Sequence, residues 1–210
     1  MLYFLQNLNF QKNQKIFLIL LCSIGTGCQK PVALNEYIFR GNSMGTTFLI
    51  KIATEKISKQ QQKKIYQTIR TKLSDINNKM STYLDSSEIS RLNRFKKTIP
   101  LRVSTETLTV MAEAQVISRL TQGALDITIN PLVNAWGFGP EPNTGKIPTT
   151  KEIFQIKSKI GWEKLELDFS TSTIRKLDPG LSCDLSAIAK GYAVDQLSDT
   201  LVRLNFHQHM

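Results

Sequence analysis

Apolar residues recur in two different rhythms along this chain, and each change of rhythm marks an element. From Tyr37 to Gly41, and again from Thr46 to Ile52, the pattern is that of half-buried strands, with Phe48, Ile50 and Ile52 alternating. Gly41-Asn-Ser-Met-Gly45 lies between them and suits a hairpin or a ligand-facing turn. The rhythm then lengthens. Ile57, Ile65, Ile69, Leu73, Ile76 and Met80 mark one face of a long amphipathic helix. A polar stretch from Met80 leads into a short turn over Ile89–Asn93. Ser104 caps a second helix with Leu108, Met111, Ala112, Val116 and Leu120 inward, closed by Gly123.

Thr149 and Glu152 form the capping box of a third helix, with Ile153, Ile156 and Ile160 inward and Gly161 beyond its end. Alternation returns at Leu165, Leu167 and Phe169, followed by short strands at Ile174–Leu177 and Leu181–Cys183. A last helix begins near Ser186 and turns Ile188, Tyr192, Leu197, Leu201 and Leu204 to one side. Helices and strands mix without regular βαβ alternation, so the pattern predicts an α+β fold.

The N-terminus breaks from this pattern. Lys12 and Lys15 precede the apolar run Ile16–Cys22, which is followed by Ser-Ile-Gly-Thr-Gly-Cys28. That order is a secretory signal, and its run is well short of the roughly 18 to 20 residues that span a bilayer. Gly27-Cys28 is similar to a bacterial lipoprotein signal, with Gly25 as a departure, and points to acylation of Cys28 and a lipid anchor in the membrane. The expected organisation is a signal peptide over 1–27, a tether over 28–36 and one domain over 37–210. Cys22 leaves with the signal and Cys28 carries lipid, so Cys183 stands alone with no disulfide.

Composition adds one constraint. The 210 residues carry a formal charge of +10, yet no basic stripe is interleaved with aromatics, and nucleic acid is not an expected partner. The densest basic stretches, Lys56 to Lys64 and Arg91 to Lys97, read as solvated faces.

Two stretches carry chemistry. Leu125-Asp-Ile-Thr-Ile-Asn-Pro-Leu-Val-Asn-Ala-Trp-Gly-Phe-Gly-Pro140 opens like a strand, then becomes a stiff loop of Pro, Gly and aromatic residues. Its Trp and Phe offer flat faces to a flat ligand, with Asp126 just upstream. Asp184-Leu-Ser-Ala-Ile-Ala-Lys-Gly-Tyr-Ala-Val-Asp195 places an acid at a strand end, a cap at Ser186 and Lys190 one turn into a helix, a setting for a phosphate. An ordinary strand–loop–helix junction reads equally from that stretch. Met44 also reads as a core filler and Tyr83 as a surface residue with a wet hydroxyl. His207 and His209 lie at a fraying chain end and receive no role. No P-loop, dinucleotide fingerprint, Ser–His–Asp order or metal-ligand spacing occurs.

Together, Gly41-Asn-Ser-Met-Gly-Thr-Thr, Met80-Ser-Thr-Tyr-Leu-Asp-Ser-Ser-Glu-Ile, the Ala124–Pro140 stretch and Asp184-Leu-Ser-Ala-Ile-Ala-Lys-Gly-Tyr resemble the ApbE family of FAD:protein FMN transferases. The resemblance runs from about residue 37 to 206. It implies a T-fold-related domain and an FAD site at Met44, Tyr83, Ala124, Leu125, Asp126, Asp184 and Lys190. It also implies Mg²⁺ held by the carbonyl of Ala187. The family's Gly-Gly, His and acidic motifs lie downstream of the last helix and are not found, so the catalytic residues are expected beyond Met210 and the chain reads as truncated. The implied reaction moves FMN from FAD to an acceptor threonine. The acceptors are subunits of membrane redox complexes, and the enzyme is a lipoprotein of the inner or outer membrane facing the periplasm. FAD hydrolysis and an inactive flavin-binding lipoprotein remain open alternatives.

Overall fold

The chain is described here as a computed structural model covering residues 33–140 and 145–210. The expected signal peptide, Cys28 and most of the tether lie outside the described residues. Strands β1 (Asn35–Ser43) and β2 (Thr46–Thr54) pair antiparallel along their whole length, with Phe39 opposite Ile50 and Tyr37 opposite Ile52. Met44 and Gly45 make the connection, both with positive φ, 51° and 72°. That is a two-residue turn whose twist matches the strands.

Helix α1 (Lys59–Met80) begins after Ser58, whose side chain accepts from Gln61 N–H while the Gln61 side chain returns the bond. This capping box places Ile57 outside the helix and leaves Ile65, Ile69, Leu73, Ile76 and Met80 as its buried stripe. Helix α2 (Glu88–Arg94) stands where only a turn was expected; Ser87 caps it. A two-residue strand β3 (Leu101–Arg102), too short to leave a periodic signal, precedes helix α3 (Thr105–Leu120).

The inward face of α3 differs from expectation. Leu108, Met111, Ala114 and Ser118 are buried, whereas Val116 and Leu120 are 45% and 78% exposed. The helix sits rotated because Thr107 and Ser104 are drawn onto the Glu88 carboxylate of α2: Thr107 Oγ1, Ser104 Oγ and Ser104 N donate to it at 2.6, 2.7 and 3.0 Å. Gly123 closes the helix with φ +84°, its N–H reaching Ser118 O.

Helix α4 (Asn130–Ala135) replaces the second half of the expected strand and loop, with Pro131 in its first turn. Helix α5 (Thr150–Lys157) has the expected capping box, but Ile153 and Ile156 are only half-buried. A 3-10 turn over Trp162–Lys164 then leads into β4 (Leu165–Asp168). Strand β4 ends before Phe169, which is exposed because Asp168 gathers Ser170 and Thr171 into a turn. Strand β5 (Thr173–Lys176) lies between β3 and β4 in an antiparallel sheet.

Leu181 and Cys183 are buried, but Leu181–Cys183 forms no strand. Its backbone is satisfied by a side chain instead. Asn93 Nδ2 donates to Cys183 O at 2.8 Å and its Oδ1 accepts from Cys183 N at 2.7 Å. The Lys176 ammonium, 1% exposed, donates to Leu92 O and Leu181 O, both at 3.0 Å. Burial pushes its pKa down to about 8. Cys183 is free and fully buried, and the same loss of solvent pushes its thiol up to about 12, which makes it inert rather than nucleophilic.

Helix α6 (Ala189–Arg203) packs against α1. It starts at Ala189, later than expected, and Leu204 at its end is partly exposed. Beyond it the chain does not fray. Lys51 and Met210 exchange both backbone hydrogen bonds, Ala53 N–H reaches Gln208 O, and the His209 ring engages Ser198 Oγ and Phe206 O, each at 2.8 Å.

Candidate functional site

The turn of the β1–β2 hairpin, the end of α1 and the start of α6 meet around a cavity of about 570 Å³. Met44 and Gly45 come from the turn, Tyr83 from the segment after α1, Phe138 from the loop after α4, and Ser186, Ala189 and Lys190 from the start of α6. Three of the residues expected to bind flavin, Met44, Tyr83 and Lys190, therefore share one wall. Tyr83 is largely exposed, but its hydroxyl is engaged and donates to Phe138 O at 2.8 Å. That bond holds the loop over the cavity.

Phe138 lines the cavity and offers a ring face, being 75% exposed. Trp136 is not part of that lining. Gly139 lies close against Asn134: a Cβ there would lie 1.6 Å from Asn134 Oδ1, so the Asn134 amide would have to move.

The start of α6 is built by Asp184 rather than by Ser186. Asp184 is buried, and its Oδ1 accepts from Ser186 N at 2.7 Å, closing a turn that leaves Ser186 and Ala187 exposed. Ile188, the residue preceding the helix, has no capping side chain. Among the described residues the amides of Lys190 and Gly191 and the carbonyl of Ala187 have no hydrogen-bond partner. Lys190 is the second residue of the helix, not one turn in, so its ammonium and two free N–H groups stand at the same positive end. An anionic ligand fits that end.

Asp126 has a structural part as well. Its Oδ1 accepts from Thr128 N and Thr128 Oγ1 at 2.8 and 2.7 Å, and its Oδ2 accepts from Trp162 N at 3.1 Å. Both oxygens are thus committed to shaping the backbone. Ala124 is exposed and Leu125 half-buried, and neither lines the cavity. The segment reaches the site indirectly, through Asp184 N donating to Ile127 O at 2.7 Å. Asn130 adds a second tie, its Nδ2 donating to Ser182 Oγ at 2.7 Å, while its Oδ1 is buried without a partner.

For Mg²⁺ the described residues supply little. The open Ala187 carbonyl is one oxygen, whereas the ion takes about six. No group of three or more His, Cys, Asp or Glu among the described residues is placed to hold a metal. The residues present do not complete a magnesium site.

Asn93, Glu88 and Asn130 were missed as organising residues. Asn130 sits inside the conspicuous loop, and Glu88 stands next to Ser87 at a helix start, so each had a local signal. Asn93 had none, because its partner is 90 positions away.

Comparison with known proteins gives a family and a fold. Residues 44–210 match the family model described as "ApbE family". A Vibrio cholerae protein named FAD:protein FMN transferase is 40% identical over 184 residues, covering 88% of this chain and 54% of the relative. A Haemophilus influenzae protein of the same name is 37% identical over 186 residues, covering 87% and 53%. In three dimensions, the flavin transferase ApbE from Vibrio cholerae superposes with a TM-score of 0.79 at 38% identity, over 84% of this chain and 56% of that one. The apo flavinyl transferase ApbE of Pseudomonas stutzeri, at 24% identity and TM-score 0.77, supports the fold alone. The chain spans about half the length of the curated relatives it matches. With the family's sequence pattern, its α+β fold and this arrangement of Met44, Tyr83 and Lys190 all in place, the chain belongs to the ApbE family.

Proposed function

We propose that this chain is the flavin-binding part of an FAD:protein FMN transferase. The reaction moves FMN from FAD to a threonine hydroxyl of an acceptor protein and releases AMP. The observation that carries this reading is the cavity that joins an exposed aromatic ring and Met44 to an uncapped helix start bearing Lys190. Phe138 and Tyr83 suit the flat flavin. The free amides of Lys190 and Gly191 and the Lys190 ammonium suit the pyrophosphate, where they stabilise charge on the phosphoryl oxygens as the bond to AMP breaks. The acceptor hydroxyl attacks the phosphorus on the flavin side.

Magnesium dependence belongs to the proposal, but the described residues do not complete a site for the ion, and no step is assigned to it here. The remaining elements of the proposal are a lipid anchor at Cys28, a position facing the periplasm, and acceptors among the subunits of membrane redox complexes. The signal-like N-terminus supports these elements.

The test is incubation of the chain with FAD, Mg²⁺ and a threonine-bearing acceptor domain, followed by a denaturing gel viewed by flavin fluorescence and an assay for AMP. Fluorescence on the acceptor with equimolar AMP supports the transferase. AMP and free FMN without labelled acceptor supports FAD hydrolysis instead. FAD binding that Lys190→Ala weakens, with no turnover, supports an inactive flavin-binding protein.

A further inference from the structure

Helix α1 gives its apolar stripe to the core, and the side opposite that stripe is basic. At about 3.6 residues per turn, Lys63, Lys64, Gln67 and Thr71 stand opposite Ile69, Leu73 and Ile76. Lys59 and Arg70 flank them on one side and Lys72 on the other. No Asp or Glu occurs from Ser58 to Ser74. Lys59, Lys63 and Lys64 are exposed, and among the described residues they make no ion pair. Covering such ammonium groups with protein that brings no acid is costly, so a face of this kind meets water or anions.

A depression of about 520 Å³ opens on this face between α1 and α6, bordered by Lys64, Thr68, Thr71 and Lys72. Asp75 also borders it, but its carboxylate is taken by Lys79 at 2.7 Å. Two ammonium groups and the Thr71 hydroxyl thus meet at one space that suits a phosphate.

The start of α1 is fixed to the place where the chain enters the domain. Asn35, the first residue of β1, stands opposite Thr54. Ile57 N, just before the Ser58 cap, donates to Tyr37 Oη at 3.0 Å. Lys56, Lys59, Lys63 and Lys64 therefore begin beside that entry. From Cys28 to Asn35 an extended chain spans at most about 25 Å, so a lipid on Cys28 keeps these lysines within reach of the bilayer.

We infer that α1 is a docking surface for an anionic phospholipid bilayer, held along the headgroups by Lys59, Lys63, Lys64 and Lys72. The helix is about 33 Å long, and Asn77 and Met80 at its far end line the candidate cavity. Lying on the headgroups, it keeps that cavity at the membrane, where a tethered domain would otherwise turn freely. The inference rests in part on the lipid-anchor reading of Cys28, but the vesicle test needs no acyl chain.

The whole chain with Cys28→Ser, which cannot be acylated there, is sedimented with vesicles of phosphatidylcholine alone or mixed equally with phosphatidylglycerol. Affinity is expected to be at least about tenfold higher for the anionic vesicles and to fall as salt rises. Lys63→Gln with Lys64→Gln should weaken anionic binding about 25-fold, at about fivefold per charge. Lys157→Gln with Lys159→Gln, the same charge change on α5 and just after it, should alter it less than about twofold. In the chain without these lysine substitutions, anionic vesicles should slow acetylation of Lys59, Lys63 and Lys64 and leave Lys157 and Lys159 as reactive as before. Equal weakening by the two pairs, or equal acetylation with and without vesicles, overturns the inference. Retention on duplex DNA as tight as on the vesicles, lost with the Lys63 and Lys64 pair, overturns it in favour of a general polyanion site. Acylation is read separately, from the mass of the Cys28 peptide of the unaltered chain: its absence, with vesicle binding intact, removes the anchor and leaves the docking surface standing.

Discussion

Met44 occupies the left-handed region at φ +51°, where an L side chain costs about 1 kcal/mol and where turns of this type favour Asn followed by Gly. Its thioether lines the candidate site, so local backbone preference yields to a requirement of the pocket. Met44→Asn should therefore leave folding stability unchanged or raise it by up to about 1 kcal/mol in urea unfolding, while FAD affinity falls about tenfold by fluorescence titration. Parallel losses in both would make Met44 a packing residue only. Lys176 is the second residue with a testable consequence. Its folded pKa, about 8, lies below the ordinary 10.5. Between those values the unfolded chain holds a proton that the folded chain has shed, so unfolding free energy rises with pH across this window. Lys176→Met should remove that rise and also lower stability near neutrality by about 2 kcal/mol, because the Leu92 and Leu181 carbonyls lose their donor. Urea midpoints of the two proteins from pH 7 to 10.5 check both statements. That Met44, Tyr83 and Lys190 would converge on one cavity was legible in the sequence, because short motifs surround them. The long-range bonds of Asp126 and Asn93 were not, because Asp126–Trp162 and Asn93–Cys183 join positions 36 and 90 apart.

Among the elements, Ser104 and Thr149 each accept the expected backbone bond at a helix start. Failures came where a tertiary bond replaced a local one. The Leu181–Cys183 segment has the apolar content of a strand, yet a side chain satisfies it, and α6 starts late because Asp184 first closes a turn. The Ala124–Pro140 stretch reads as strand and loop because Ile127 and Ile129 alternate, while Pro131 in fact opens α4. The loop after α4 is held by Tyr83 and packs Gly139 against the Asn134 amide. Gly139→Ala should displace the Phe138 ring from the cavity, weaken FAD binding by about tenfold and leave the far-ultraviolet circular dichroism unchanged. Tyr83→Phe should reproduce part of that loss by removing the 2.8 Å bond alone.

At the scale of the molecule, α+β was legible because the mixture of periods does not allow regular βαβ units. The expectation of a frayed end failed for the opposite reason: His209 has no local signal, but the β2 edge draws it in as an isolated bridge opposite Ile52. Apart from the buried Lys176, the cationic surplus behind the charge of +10 takes little part in ion pairing of depth, since the pairs Lys79 makes with Asp75 and Glu106, at 2.7 and 2.8 Å, sit in partly exposed positions between α1 and α3. What the sequence showed least was how the parts depend on one another.

That dependence has a kinetic side, and the Asn93 amide sets it. Its two bonds to Cys183 close a loop of 90 residues, a contact whose entropic cost falls due before any packing reward is collected. Asp184 and the start of α6 follow directly after Cys183, so the anion-binding end is oriented only once α2 has met a segment made much later in synthesis. The Cys183 amide should accordingly exchange with solvent only through global unfolding, and Asn93→Ala should release it to local opening while lowering stability by about 2 kcal/mol. The ligand site is then among the last parts of the domain to form, and it persists until the domain unfolds as a whole.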